Sequence, residues 1–416
     1  MNLLSLIALR ILMFPAIYIL GFPIWFDLIL WIVLIYFYTS KAQLILTSLL
    51  VVVISYAINF FDLKTSIEQE SEIYWRPHDR YASNDRYEKN LNIDMIQNHG
   101  DLYHMDDAKN SKREFVRQER KIKFITDDYG FRNDRFVIKE SEIILVGDSF
   151  IIGTGNTQEE IPANQLSDIS DLKVASIAYV GRPEHYEKFV KQHFNLLNNE
   201  SKIILFYFEG NDFHEDKNVK LPLDILIRKK YLHMEVNKDR ILFRKIYSKK
   251  NTFTRKIRTV THSINRKFIY TDQLSRVGYN KVKNHYIAFL KNYSRRQNET
   301  YIFKDQKVLK KIISVFFIPT KARTYSKFTD IKFSDERFIY LKNEYSKHNI
   351  PVVNLSYLFM REAENLLRED AFIFWRDDTH WNSSGIKIAM QCVNDFIKLS
   401  SNPNSTNEMI INFECK

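Results

Sequence analysis

Ile143-Ile-Leu-Val-Gly-Asp-Ser-Phe-Ile-Ile-Gly-Thr-Gly155 is the stretch on which the reading of the fold turns. Ile143 to Val146 form an unbroken apolar run that Gly147, Asp148 and Ser149 bring to an end. A short apolar run closed by glycine predicts a parallel strand buried on both faces. Ser149 then falls just past the carboxyl end of that strand, where open α/β sheets place their chemistry. The run Gly153 to Thr157 reads as a flexible polar loop.

Outward from this stretch, strand and helix signals alternate. Lys173–Ala178, Ile203–Phe208, Ile312–Ile318 and Pro351–Leu355 are apolar runs of strand length. Glu184–Leu197, Ser334–Lys347 and Ser384–Leu399 read as helices, the first of them following Pro183. The alternation implies an α/β domain whose parallel sheet carries helices on both faces. Residues 215–308 interrupt it, being rich in Lys, Arg, Tyr and Phe and lacking glycine except at Gly278. They read as a basic insertion between the third and fourth strands, helical over segments such as Tyr279–Tyr293. Its role is either a solvated packing shelf or a surface for acidic polysaccharide or anionic lipid headgroups.

The N-terminal residues 1–64 have a different character. Apolar runs cover Leu3–Phe22, Ile24–Tyr38 and Leu44–Phe61. The first and third are long enough to cross a hydrocarbon core of about 30 Å, and the second reaches across with its aromatic flanks at the interfaces. About three transmembrane helices are expected, turning at Gly21-Phe22-Pro23 and Ser40-Lys41-Ala42. Lys41 places its turn in the cytoplasm by the positive-inside tendency, which leaves everything after Phe61 outside. The expectation is a multi-pass protein of the cytoplasmic (inner) membrane with an extracytoplasmic domain. Residues 65–120 read as a polar tether and lead-in, 121–400 as the α/β domain and 401–416 as a tail. Tyr129-Gly-Phe-Arg132 reads as a hairpin at the sheet edge with Gly130 in its turn.

Composition narrows the function classes. The 416 residues, 45% of them hydrophobic, suffice for one α/β domain plus extra segments. A net charge of +11 fits a Lys-rich solvated surface, anionic lipid or an acidic polymer. Nucleic acid is not expected as a partner, since no recognised binding motif is present. Of the two cysteines, Cys392 falls on the apolar stripe of the last helix and reads as a small buried residue. Neither it nor Cys415 has metal-ligand spacing, and no disulfide framework, metal or cofactor is implied.

Two distant stretches complete a chemical set with Ser149: Phe208-Glu-Gly-Asn-Asp212 and Arg376-Asp-Asp-Thr-His-Trp381. A serine hydroxyl attacks an acyl carbon only when a base takes its proton. Histidine suits that task near neutral pH, and a carboxylate fixes its tautomer. The set predicts acyl transfer.

These blocks resemble those of the SGNH (GDSL-type) hydrolase superfamily, over roughly Phe124 to Leu399. The Tyr-Gly-Phe-Arg run and Pro319-Thr-Lys321, with Tyr325 beyond, are similar to the membrane-anchored branch that includes alginate-acetylation proteins. The resemblance implies a flavodoxin-like three-layer SGNH domain. It implies Ser149 as nucleophile, Gly181 and Asn211 as oxyanion-hole donors and His380 as general base. The acid is Asp377, three residues before the histidine, or Asp378, two before; the ordinary order of the blocks favours Asp377. Lys321 and Tyr325 either bind substrate or finish a turn. The first reading is an ester hydrolase acting on an acylated cell-surface glycan or lipid. A second is an O-acyltransferase acetylating a polysaccharide with help from a membrane acyl-donor partner. A third is a non-catalytic glycan-binding protein on the same fold.

Overall fold

The structure, a computed structural model, describes residues 78, 81–83, 86–102, 117–215, 277–282, 285–290, 296–328 and 332–415. The expected membrane helices lie outside these residues, as does most of the basic insertion. Among the described residues no helix is long and apolar enough to cross a membrane.

Along the chain, β1 (Asn92–Gln97) pairs antiparallel with β2 (Arg120–Ile125). β3 (Ile143–Gly147) leads through α1 (Ser149–Ile152) and α2 (Pro162–Ser170) to β4 (Val174–Ala178). α3 (Pro183–Gln192) leads on to β5 (Lys202–Phe208). Next come β6 (Phe213–Glu215), β7 (Val277–Val282), β8 (His285–Leu290) and β9 (Arg296–Thr300). α4 (Gln306–Leu309) returns the chain to β10 (Ile312–Ile318), which is followed by α5 (Lys321–Thr324) and α6 (Glu336–Ser346). β11 (Val352–Asn354), α7 (Ser356–Arg368), α8 (Ser383–Ser401) and α9 (Asn407–Ile411) complete it.

Five of these strands form a parallel sheet in the order β11-β10-β5-β3-β4. The apolar runs explain their place. Every residue of β3 and β4 is buried, as is every residue of β5 after Lys202. Alternate residues feed two cores, because successive side chains of a strand point to opposite faces. Ile143, Leu145, Ile204, Phe206 and Phe316 face α2, α7 and α8, joining Leu166, Phe359, Ile386 and Val393. Ile144, Val146, Leu205, Tyr207 and Phe317 face α3 and α6, joining Tyr186, Val190, Leu341 and Tyr345. Helices thus cover both faces of an α/β sheet, as the alternation implied. The chain steps from β3 outward to β4, then back past β3 to β5. The strand order therefore reverses between β3 and β5, the kind of switch point beyond whose carboxyl ends open α/β sheets bind ligands. Ser149 stands at that point.

Four expectations are corrected. The lead-in before residue 121 is partly built into the fold, since β1 and β2 pair from Asn92↔Ile125 to Gln97↔Arg120. The described residues within Tyr279–Tyr293 are strands and not a helix: β7 and β8 pair antiparallel over Val277–Val282 and His285–Leu290. Aromatic and β-branched residues on either side of a two-residue connection favour that outcome. The loop Gly153 to Thr157, expected as flexible and polar, is buried from Gly153 to Asn156. Cys392 is buried as expected, but it forms a disulfide with Cys415, closing the tail onto α8 across 23 residues.

Candidate active site

Ser149 opens the short helix α1. The carboxylate of Asp148 accepts from the Phe150 N–H at 2.9 Å and so caps the turn. Gly153 ends the helix at φ +74°, a left-handed conformation that a residue with a Cβ rarely adopts. Arg132, at the end of the Tyr-Gly-Phe-Arg run, is buried behind this loop. Its guanidinium donates to the carbonyls of Ile152 (3.2 Å), Gly153 (3.0 Å) and Asn156 (2.8 Å). The run expected as a passive hairpin thus supports the nucleophile loop from below.

His380 lies on the loop between Phe374 and Trp381, which face each other in an isolated antiparallel bridge just before α8. Trp381 Nε1 donates to the Phe150 carbonyl at 3.1 Å, tying this loop to α1. The result is a relay. Ser149 Oγ lies 2.7 Å from His380 Nε2, and His380 Nδ1 lies 2.6 Å from Asp378 Oδ1. All three are buried, with Ser149 the most exposed at 5%. Burial alone raises the Asp378 pKa, but His380 and Arg120 hold it well below the usual carboxylate range.

The carboxylate that meets the imidazole is therefore Asp378 and not the preferred Asp377. Asp377 turns away from the imidazole. It forms a buried ion pair with Arg120 and accepts from the N–H groups of Gly100 and Gln118, each at 2.9 Å. Burial raises its pKa, against the pull of Arg120. In this turn Asp377 and His380 diverge, whereas Asp378 also accepts from the His380 N–H at 3.1 Å.

Of the two roles open to Lys321 and Tyr325, the structure fits the second, in the turn after β10. Lys321 is buried, and its ammonium donates to the carbonyls of Trp375 (2.7 Å), Arg376 (3.0 Å) and Asp378 (3.2 Å). Burial lowers its pKa to about 7, against the pull of Asp377, Asp378 and Asp101. Tyr325 is fully buried, and its hydroxyl accepts from the Ile373 N–H at 3.2 Å. Both shape the histidine loop rather than face a substrate.

Gly181 and Asn211 come together. They follow β4 and β5, and β4 and β5 are the two neighbours of β3 in the sheet. The Asn211 amide donates to the Gly181 carbonyl at 3.4 Å, joining the loops on either side of the nucleophile strand. Asp212 fixes the asparagine turn by accepting from the Phe208 N–H and the Tyr186 hydroxyl, at 2.8 and 2.7 Å.

Sequence reasoning missed Asp101 and Arg120. Both belong to the segment read as a lead-in. Gly100 lets this segment approach the histidine loop: a Cβ there would sit 2.2 Å from the Asp377 carbonyl oxygen. The Asp101 N–H donates to Asp378 Oδ2 at 3.3 Å, and its carboxylate accepts from the Thr379 N–H at 2.7 Å. Arg120 spans Asp377 and Asp378 and stacks 4.4 Å from the Trp375 ring centroid. The period-two alternation in Lys121-Ile-Lys-Phe124 and Ile93-Asp-Met95 was the available signal. Asp101, Asp378 and His380 offer ligand atoms within 4.8 Å of one another. Both imidazole nitrogens are engaged, by Ser149 and Asp378.

No protein-family model matches the chain, and a search of curated proteins finds no match.

Proposed function

We propose that the protein is a serine ester hydrolase of the SGNH type, acting on an acylated glycan or lipid at the outer face of a membrane. The observation that carries this reading is the Ser149–His380–Asp378 chain at the switch point of the sheet. The strand order supports the finer fold class: in order of appearance the parallel strands run 2-1-3-4-5, as in flavodoxin-like sheets. The disulfide between Cys392 and Cys415 supports an oxidising compartment, in keeping with the extracytoplasmic side expected from the N-terminal apolar runs.

In the proposed reaction, Ser149 Oγ attacks the ester carbonyl carbon while His380 Nε2 takes its proton. Asp378 holds the opposite nitrogen as Nδ1–H and stabilises the imidazolium. The oxyanion accepts from the N–H groups of Ser149 and Gly181 and from the Asn211 amide, whose loops converge on this end of the sheet. Losing one such donor typically costs about 2.7–4 kcal/mol of barrier. The C–O bond then breaks, His380 returns the proton to the leaving alcohol, and the acyl group stays on Ser149. Water attacks this ester with His380 again as base, releasing the acid and restoring the serine. Where a sugar hydroxyl replaces water, the same steps make an O-acyltransferase.

The test is turnover of aryl acetates by the purified protein, with and without a glycan acceptor. Release of acetate supports the hydrolase. Acetylated glycan in place of free acetate supports the transferase. No turnover, together with glycan binding, supports the non-catalytic reading and contradicts the proposal.

A further inference from the structure

Two buried carboxyls beside the relay take no part in these steps. Asp377 is neutralised by Arg120. Asp101 is placed differently. Its carboxyl accepts from both the N–H and the hydroxyl of Thr379, the residue between Asp378 and His380. Its carboxyl, the Asp378 carboxyl and the His380 imidazole each bring an atom within 4.8 Å of the others, and Asp101 is only 2% exposed. Two carboxylates held this close and out of water repel each other, which favours a proton on one of them. Asp378 faces His380 and Arg120, which favour its charge. The proton therefore resides on Asp101.

On the reading that Ser149 and His380 carry out acyl transfer, we propose that Asp101 is a fourth member of the relay: a positioning residue that donates its proton to Asp378 and thereby sets how strongly His380 holds its own. The charges around it make that influence specific. Asp378 and His380 face it from the histidine loop, with Asp377 beside them. Arg120 comes from β2 and Lys321 from α5, and His99 lies two residues earlier on its own segment. With Asp101 neutral, Asp377 and Asp378 face Arg120 and a Lys321 whose charge is lost as pH rises through about 7. Ionised Asp101 adds one negative charge within reach of the imidazolium that forms when Ser149 gives up its proton. Burial, and then the charge of Asp378, raise the Asp101 pKa to about 7. The ionisation of Asp101 and the protonation of the imidazole are thus coupled through Asp378, which touches both.

Asp101→Asn keeps a donor for Asp378 and an acceptor for Thr379 but cannot ionise. The full-length protein and this variant are compared in two ways: by kcat/KM for an aryl acetate across pH, and by the imidazole nitrogen NMR signal of His380 across the same range. The wild type is expected to give a broad, two-step acid limb. The variant is expected to give a single-proton limb, with the His380 midpoint lower by at least about one pH unit. The NMR titration reads His380 whether or not the serine turns over. A lowered midpoint without esterase activity in either protein would sink the proposed function alone. Identical His380 titrations in the two proteins would overturn the role of Asp101. A check on the wild type alone needs no variant: infrared titration should retain a buried carboxylic-acid band well above about pH 5, where ordinary carboxyls are ionised. Loss of that band below pH 5 would also overturn it.

Discussion

Asparagine at Asp378 and asparagine at Asp377 make the same isosteric change at adjacent residues, and the structure assigns them opposite consequences. Asp378 holds His380 Nδ1 at 2.6 Å. Its amide counterpart presents the imidazole with the wrong hydrogen-bonding partner and favours the tautomer that cannot accept the Ser149 proton. The comparable change in a serine protease drops kcat by about 10⁴, or about 5 kcal/mol of transition-state stabilisation. Asp377 instead neutralises Arg120 and accepts two backbone N–H groups. Breaking a buried ion pair by removing one partner costs about 3–5 kcal/mol of folding stability. Some of this is retained, because Arg120 still has Asp378 at 3.6 Å. Asp378→Asn should therefore cripple kcat in a well-folded protein. Asp377→Asn should lower the urea midpoint while leaving kcat within about tenfold of wild type. Aryl acetate kinetics and urea unfolding of both variants make the comparison. A crippled, fully stable Asp377→Asn beside an active Asp378→Asn would refute the assignment.

Asp101 makes stability depend on pH with a definite sign. Its pKa is about 7 folded and about 3.9 unfolded, so its contribution is fully present below about pH 4 and is lost as pH rises through 7. The stability of wild type relative to Asp101→Asn, from urea unfolding at several pH values, should fall over that window; a rise would contradict the buried-acid account. Lys321→Met leaves three carbonyls of the histidine loop without their donor and should cost at least about 1–3 kcal/mol of stability while lowering kcat. A raised KM with stability unchanged would return Lys321 to substrate binding. Cys415→Ser opens a loop of 23 residues and should lower the unfolding free energy by about 3 kcal/mol with kcat preserved; unchanged stability would show that the bridge contributes nothing.

The sheet was legible because its strands are buried on both faces, which leaves near-continuous apolar runs such as Ile312–Ile318. Ser149 and His380 were legible because each adjoins a strong signal, the end of β3 or the start of α8. The choice between Asp377 and Asp378 was not, because it depends on which side of one turn faces the imidazole. Lys321 looked like a ligand-binding cation from its place at the end of β10. Only packing reveals that three carbonyls enclose it. Asp101 and Arg120 were hidden by distance in the chain: more than 250 residues separate them from the loop they meet. The segment that carries them alternates apolar and charged residues over too few positions to stand out from a polar lead-in.

The central claim is that an acyl group passes through Ser149. Acid-quenched protein taken during turnover of an aryl acetate, digested and read by mass spectrometry, tests it directly. One acetyl group is expected on the peptide that contains Ser149, more of it when deacylation is slowed, and none in Ser149→Ala, which should also lose turnover. Turnover by Ser149→Ala at the wild-type rate, or an acetyl group on another residue in its place, would contradict it.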